Sequence, residues 1–125
     1  MTTNVGPNWI EKEEALSQLA GGRLTSVQFV LNYLILGFDE KGALTTLVWP
    51  EIIHKEEKIT VGMNGYRDNL CSLIEHVAKK ATIEPDETIS IDFDNGIALR
   101  IPLQSYHDRG ERAILTGPKH YLFVF

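Results

Sequence analysis

The 125-residue chain has one cysteine, Cys71, so it cannot form an intramolecular disulfide and lacks the framework of small secreted disulfide domains. It also lacks any long hydrophobic run. The most apolar stretch, Phe29 to Leu36, contains Asn32 and falls far short of the roughly 20 residues a membrane-spanning helix needs. Positive charge is in deficit, with 12 Lys+Arg against 17 Asp+Glu and a formal net charge of -5. That balance disfavours nucleic acid as a partner, because phosphate binding requires a concentrated basic surface. The N-terminus, MTTNVGPNW, has neither a basic n-region nor an apolar h-region. We therefore expect no signal peptide and a reducing, cytoplasmic setting. There is no Gly-x4-Gly-Lys-Ser/Thr loop, no Gly-x-Gly-x-x-Gly turn, no Cys-x2-Cys pair and no His-Glu-x2-His helix. The four histidines, His54, His76, His107 and His120, are dispersed, with no two at metal-ligand spacing on one element. The expectation is no cofactor and no metal.

What the sequence does contain is the material of one globular domain: 43% hydrophobic and 23% charged residues. A chain of this length buries roughly two-thirds of its unfolded surface, enough for one core. Residues 1–8 read as a flexible lead-in and residues 9–125 as a single α+β domain. Asn8 is placed to cap an N-terminal helix, with Glu11 three positions later, an apolar stripe from Trp9, Leu16 and Leu19, and Gly21-Gly22 at its end. Strands are predicted over Leu24–Phe29, Tyr33–Phe38 and Ala43–Trp49, with a short pair at Glu51–His54 and Lys58–Val61. Leu70, Leu73, Ile74, Val77 and Ala81 fall on one face of a 3.6-residue period, which predicts a central amphipathic helix from Tyr66 to Lys79 packed on the sheet. A short helical turn around Glu111–Leu115 and a closing strand at Tyr121–Phe125 complete the reading.

Thr88 to Leu103 forms the clearest hairpin. A two-residue Asn95-Gly96 loop would mix its faces. A three-residue loop, Asp94-Asn95-Gly96, pairs Ile91 with Leu99 and Ile89 with Ile101 and leaves one face wholly apolar, so that register is expected with Gly96 left-handed. Leu34 to Leu44 echoes Ile89 to Leu99, with one extra residue between the Asp and Gly of the first turn. Two Phe-Asp hairpins flanking one helix suggest a duplicated β unit in a mostly antiparallel sheet. The plainer alternative is that short antiparallel hairpins resemble one another.

Among candidate functional residues, the carboxylates carry most content. Glu84, Asp86, Glu87, Asp92 and Asp94 lie between Lys80 and Arg100 with no Lys or Arg among them, and Glu51, Glu56 and Glu57 form a second group. A solvated polar face explains such a run. The functional alternative to this commoner reading is an acidic surface that steers onto a basic protein, raising on-rate and specificity more than affinity. Paired carboxylates for hydrolysis have no accompanying base, groove or metal. Cys71 and His76 are five positions apart, which on a helix turns them away from each other, so Cys71 reads as a small core or boundary residue. His107-Asp108 sits in a polar loop.

The segments Leu19-Ala20-Gly21-Gly22-Arg23-Leu24-Thr25-Ser26-Val27 and Gly65-Tyr66-Arg67-Asp68-Asn69-Leu70-Cys71-Ser72-Leu73-Ile74, with the two Phe-Asp hairpins, resemble small bacterial immunity proteins. Those include the immunity proteins of contact-dependent growth inhibition and other polymorphic toxin systems. The resemblance spans residues 16–125 and rests on turns, a helix start and core positions. It implies a cytoplasmic, non-enzymatic inhibitor that binds the C-terminal domain of one cognate toxin, often a basic nuclease. Under that reading Glu84, Asp86, Glu87, Asp92 and Asp94 meet the toxin's cations, with Trp49, Tyr66 or Tyr106 as an exposed aromatic anchor. Two other classes stay open: a structural or homo-oligomeric interaction module, and a small enzyme using Cys71 or His107.

Overall fold

The computed structural model describes residues 5–103, 112–117 and 122–125, with side chains from residue 11 onward. Two helices and ten strands follow in the order α1 (Val5–Ser17), β1 (Leu24–Val30), β2 (Tyr33–Phe38), β3 (Gly42–Thr46), β4 (Glu51–His54), β5 (Glu57–Ile59), α2 (Tyr66–Cys71), β6 (Ala78–Ile83), β7 (Thr88–Phe93), β8 (Ile97–Pro102), β9 (Ala113–Thr116) and β10 (Leu122–Val124). They form two antiparallel sheets of five strands, sheet I ordered β1-β2-β3-β9-β10 and sheet II ordered β5-β4-β8-β7-β6. The fold is α+β in a single small domain.

Written from its outer edge, sheet II is β6-β7-β8-β4-β5, and the two sheets become superposable strand for strand. Each half of the chain supplies a helix, a three-stranded meander and a hairpin. The hairpin β4-β5 leaves the first half to join the second meander, and β9-β10 leaves the second half to join the first. The repeat extends to individual hydrogen bonds. Leu24 N–H donates to His76 O at 3.0 Å and Ala78 N–H to Gly22 O at 2.9 Å; Gly21 N–H donates to Ala78 O and Glu75 N–H to Leu24 O, both at 2.7 Å. Arg23 and Val77, equivalent residues, bridge to each other, and the equivalent rings of Phe38 and Phe93 stack 6.5 Å apart. These contacts place a pseudo-two-fold axis between the halves. The echo noted in the sequence is thus a true repeat of the architecture.

One core serves both sheets. Leu34, Leu36 and Leu44 from sheet I and Ile89, Ile91 and Leu99 from sheet II are all fully buried, as the period-2 alternation of their strands requires. Ile89 pairs with Ile101 and Ile91 with Leu99, the expected register, and Gly96 is left-handed at φ 87°. Leu16 and Leu19 enter this core from α1 and the turn after it, and the equivalent Leu70 and Leu73 from α2 and the turn after it.

Four expectations are corrected. The central helix is six residues long, Tyr66–Cys71, and Ala78–Ile83 is a strand. A β-bulge between Ala78 and Lys80 puts Ala78 and Ala81 on the same buried face, and that i, i+3 spacing imitates a helical stripe. α1 begins at Val5, earlier than a cap at Asn8 implies, because Pro7 in the first turn has no N–H to leave unpaired. The segment from Ala113 to Leu115 is strand, held between β3 and β10. β3 ends at Thr46, short of Trp49.

Candidate partner-binding surface

The five carboxylates expected on one acidic surface occupy two ends and one face of the β6-β7-β8 meander. Asp94 sits in the β7-β8 turn and is engaged within the protein. Its Oδ1 lies 2.8 Å from His76 Nδ1, and its Oδ2 accepts the Val77 amide at 3.3 Å. The hydrogen bond with His76 holds the Asp94 carboxyl below the usual carboxylate range, and the Val77 amide acts in the same sense. Asp92 projects from the outer face of sheet II, directly across from Lys80 on β6. One row along that face, Arg100 stands between Ser90 and Glu51, with Asp86 3.6 Å from its guanidinium; Glu51 in turn has Lys58 at 3.7 Å. Each of these solvent-exposed pairs is worth little alone. Together they make the outer face of sheet II a ladder of alternating sign, so Asp92 and Asp94 do not add to a continuous acidic patch.

The acid that remains concentrated is the β6-β7 turn. Glu84 is half-buried and accepts the Thr82 hydroxyl at 3.0 Å, while Asp86 and Glu87 are exposed. Glu87 takes a left-handed φ of 62°, and its carbonyl accepts Leu103 N–H at 3.0 Å. Arg100 is the one cation within ion-pair distance of these three carboxylates among the described residues.

The aromatic candidates also separate. Tyr66 is a core residue, 4% exposed, whose hydroxyl donates to Pro50 O at 2.5 Å. Burial, with the Glu51 carboxylate nearby, pushes its phenol pKa up. It has no face to offer a partner, because its ring is the first apolar residue of α2 and closes that helix onto the chain after β3. Trp49 is half-buried and stacks on Phe29 at 6.5 Å, over which Arg67 lies at 5.3 Å. Tyr106 and His107 lie outside the described residues. Cys71 is exposed on α2 and is not a core residue. Among the described residues no group of three or more His, Cys, Asp or Glu is arranged to hold a metal ion, and no helix is long and apolar enough to cross a membrane.

Two features escaped the sequence. Leu31, at the two-residue β1-β2 tip, is 96% exposed with φ 32°, a position where such a turn favours Asn or Gly. The other is the outer face of sheet I. Its rows run Gln28–Ile35–Thr45–Ile114–Val124 and Ser26–Gly37–Ala43–Thr116–Leu122 across all five strands, with no charged residue in either. Comparison with family models, with curated proteins and with solved structures gives no match.

Proposed function

We propose that this protein acts by binding: it is a cytoplasmic, non-catalytic immunity-type inhibitor that neutralises a basic toxin domain. The observation that carries the reading is the β6-β7 turn, where Glu84, Asp86 and Glu87 fall within four residues at one end of sheet II, with Arg100 the one cation in ion-pair reach among the described residues. A concentrated acidic tip raises the encounter rate with a basic surface by roughly 10–1,000-fold at low salt. Leu31 and Trp49 supply exposed and half-exposed apolar area of the kind found at interface centres. Asp92 and Asp94 take a lesser part, since Lys80 and His76 already face them.

The test uses the C-terminal domain of a large secreted toxin whose gene adjoins this one; a neighbourhood with no such gene would count against the reading. Co-expression is expected to restore growth and yield a stable complex. In stopped-flow association, the Glu84→Lys, Asp86→Lys, Glu87→Lys triple variant is expected to associate at least about tenfold more slowly, with a flattened salt dependence. No protection and no complex would contradict the reading. An unchanged on-rate in the triple variant would remove the turn from it.

A further inference from the structure

The geometry points to a second copy of this chain as the occupant of the outer face of sheet I. The pseudo-two-fold repeat supplies an internal control for that face, because every outward position on sheet I has a counterpart on sheet II. Ile35, Thr45 and Ile114 stand in register across sheet I; their counterparts across sheet II are Ser90, Arg100 and Glu51. Leu122, 59% exposed, corresponds to Lys58. The same backbone therefore carries charges of both signs on one outer face and none in these two rows of the other. Ser26, Gln28, Thr45 and Thr116 suit solvent, but Ile35, Ile114, Leu122 and Val124 stand outward beside them where a monomer's outward sheet positions normally alternate to polar residues. Arg112, just before β9, is the cation at the rim.

Charge selects the occupant. A basic partner gains nothing from two rows with no carboxylate, and an acidic one gains nothing from two rows with no cation. A second copy brings the identical uncharged face, so the net charge of -5 on each chain stays away from the contact. It also brings the identical twist, which lets two sheets pack about 10 Å apart with their strands inclined by about 30°. The contact is isologous and closes at two copies. Five strands spaced about 4.8 Å apart and about five residues long give a footprint near 400 Å² per copy. Side-chain relief and the flanking Leu47 bring the buried area toward the low end of specific interfaces, roughly 1,200 Å² in total. The dimer is accordingly of micromolar order and depends on concentration.

Sedimentation of the full chain across a concentration series, with and without substitutions, tests this. The wild type is expected to move from the 14.1 kDa monomer to twice that mass as concentration rises. The Thr45→Arg, Ile114→Glu double variant copies onto sheet I the pair that Arg100 and Glu51 already make on sheet II, so the fold accommodates it. It is expected to keep the wild-type circular dichroism and thermal midpoint of the monomer and to stay monomeric at every concentration. Leu122→Lys, at an exposed site that Lys58 matches, is expected to weaken self-association at least severalfold without any demand on folding. A wild type that is monomeric throughout overturns the proposal. If that monomer's double variant binds the toxin domain more weakly, the face belongs to the toxin; if the double variant unfolds, the chain's own segment covers the face. Variants that dimerise like the wild type overturn it as well.

Discussion

Asp94 shows how one side chain can be acidic in the sequence and structural in the fold. Its two oxygens take the His76 ring and the Val77 amide, tying the β7-β8 turn to the start of β6. Because the folded state favours the ionised carboxylate, Asp94 stabilises the protein fully above its unfolded pKa, and that stabilisation fades as pH falls through the lower, folded value. Thermal unfolding of Asp94→Asn should therefore fall below wild type at neutral pH, with the gap closing as pH falls below the ordinary carboxylate range. A gap that persists unchanged in acid would mean the carboxylate's ionisation is irrelevant. The adjacent copy of the repeat solves the same problem differently, with Asp39 paired to Arg23 at 3.4 Å. Neither pairing was legible in the sequence, since His76 and Asp94, 18 residues apart, meet only through the β6-β7 strand pair. The same holds for Lys80 opposite Asp92. Acidic spacing along a strand is visible in sequence; the cation across the ladder is set by register.

The elements themselves were mostly legible where a strand alternates simply. Tyr33–Phe38 and Glu51–His54 match their predicted bounds, and the Ile89-Ile91 hairpin keeps its predicted register. Sequence reasoning failed where a bulge changed the period. Leu70, Leu73 and Ala81 of the stripe that predicted one long helix are buried, and Ile74 and Val77 half-buried, yet a helix, a turn and a bulged strand deliver them in succession. The other half carried the correction. Leu16-Ser17-Gln18-Leu19 before Gly21 aligns with Leu70-Cys71-Ser72-Leu73 before Glu75, and strand β1 with its own bulge follows. Gly21 is left-handed at φ 90° and Glu75 at φ 84°, so the turn after each helix demands a conformation that costs only the second copy strain. Glu75→Gly should raise stability by about 0.5–1 kcal/mol, read as a higher urea midpoint at unchanged m-value. A loss of stability would show that the Glu75 side chain contributes more than its backbone strain removes.

Across the whole molecule, the repeat builds one core from two equivalent halves and then gives the two outer surfaces opposite characters. Exchange of the hairpins β4-β5 and β9-β10 makes each sheet depend on both halves, so neither half has a complete sheet of its own. The topology that exposes one charged and one uncharged face was out of reach of sequence, because each face is assembled from strands as distant as β2 and β10. The acidic turn lies on sheet II and the uncharged rows on sheet I, and the account assigns them to different partners: a basic toxin domain and a second copy. The decisive measurement is the mass of the complex with a toxin domain that this chain neutralises on co-expression, by sedimentation at concentrations where the free protein is dimeric. Two copies of each chain are expected, and the Thr45→Arg, Ile114→Glu variant should give one of each with unchanged toxin affinity. A wild-type complex of one copy each, formed at the expense of the dimer, would place the toxin on the uncharged face and contradict the account.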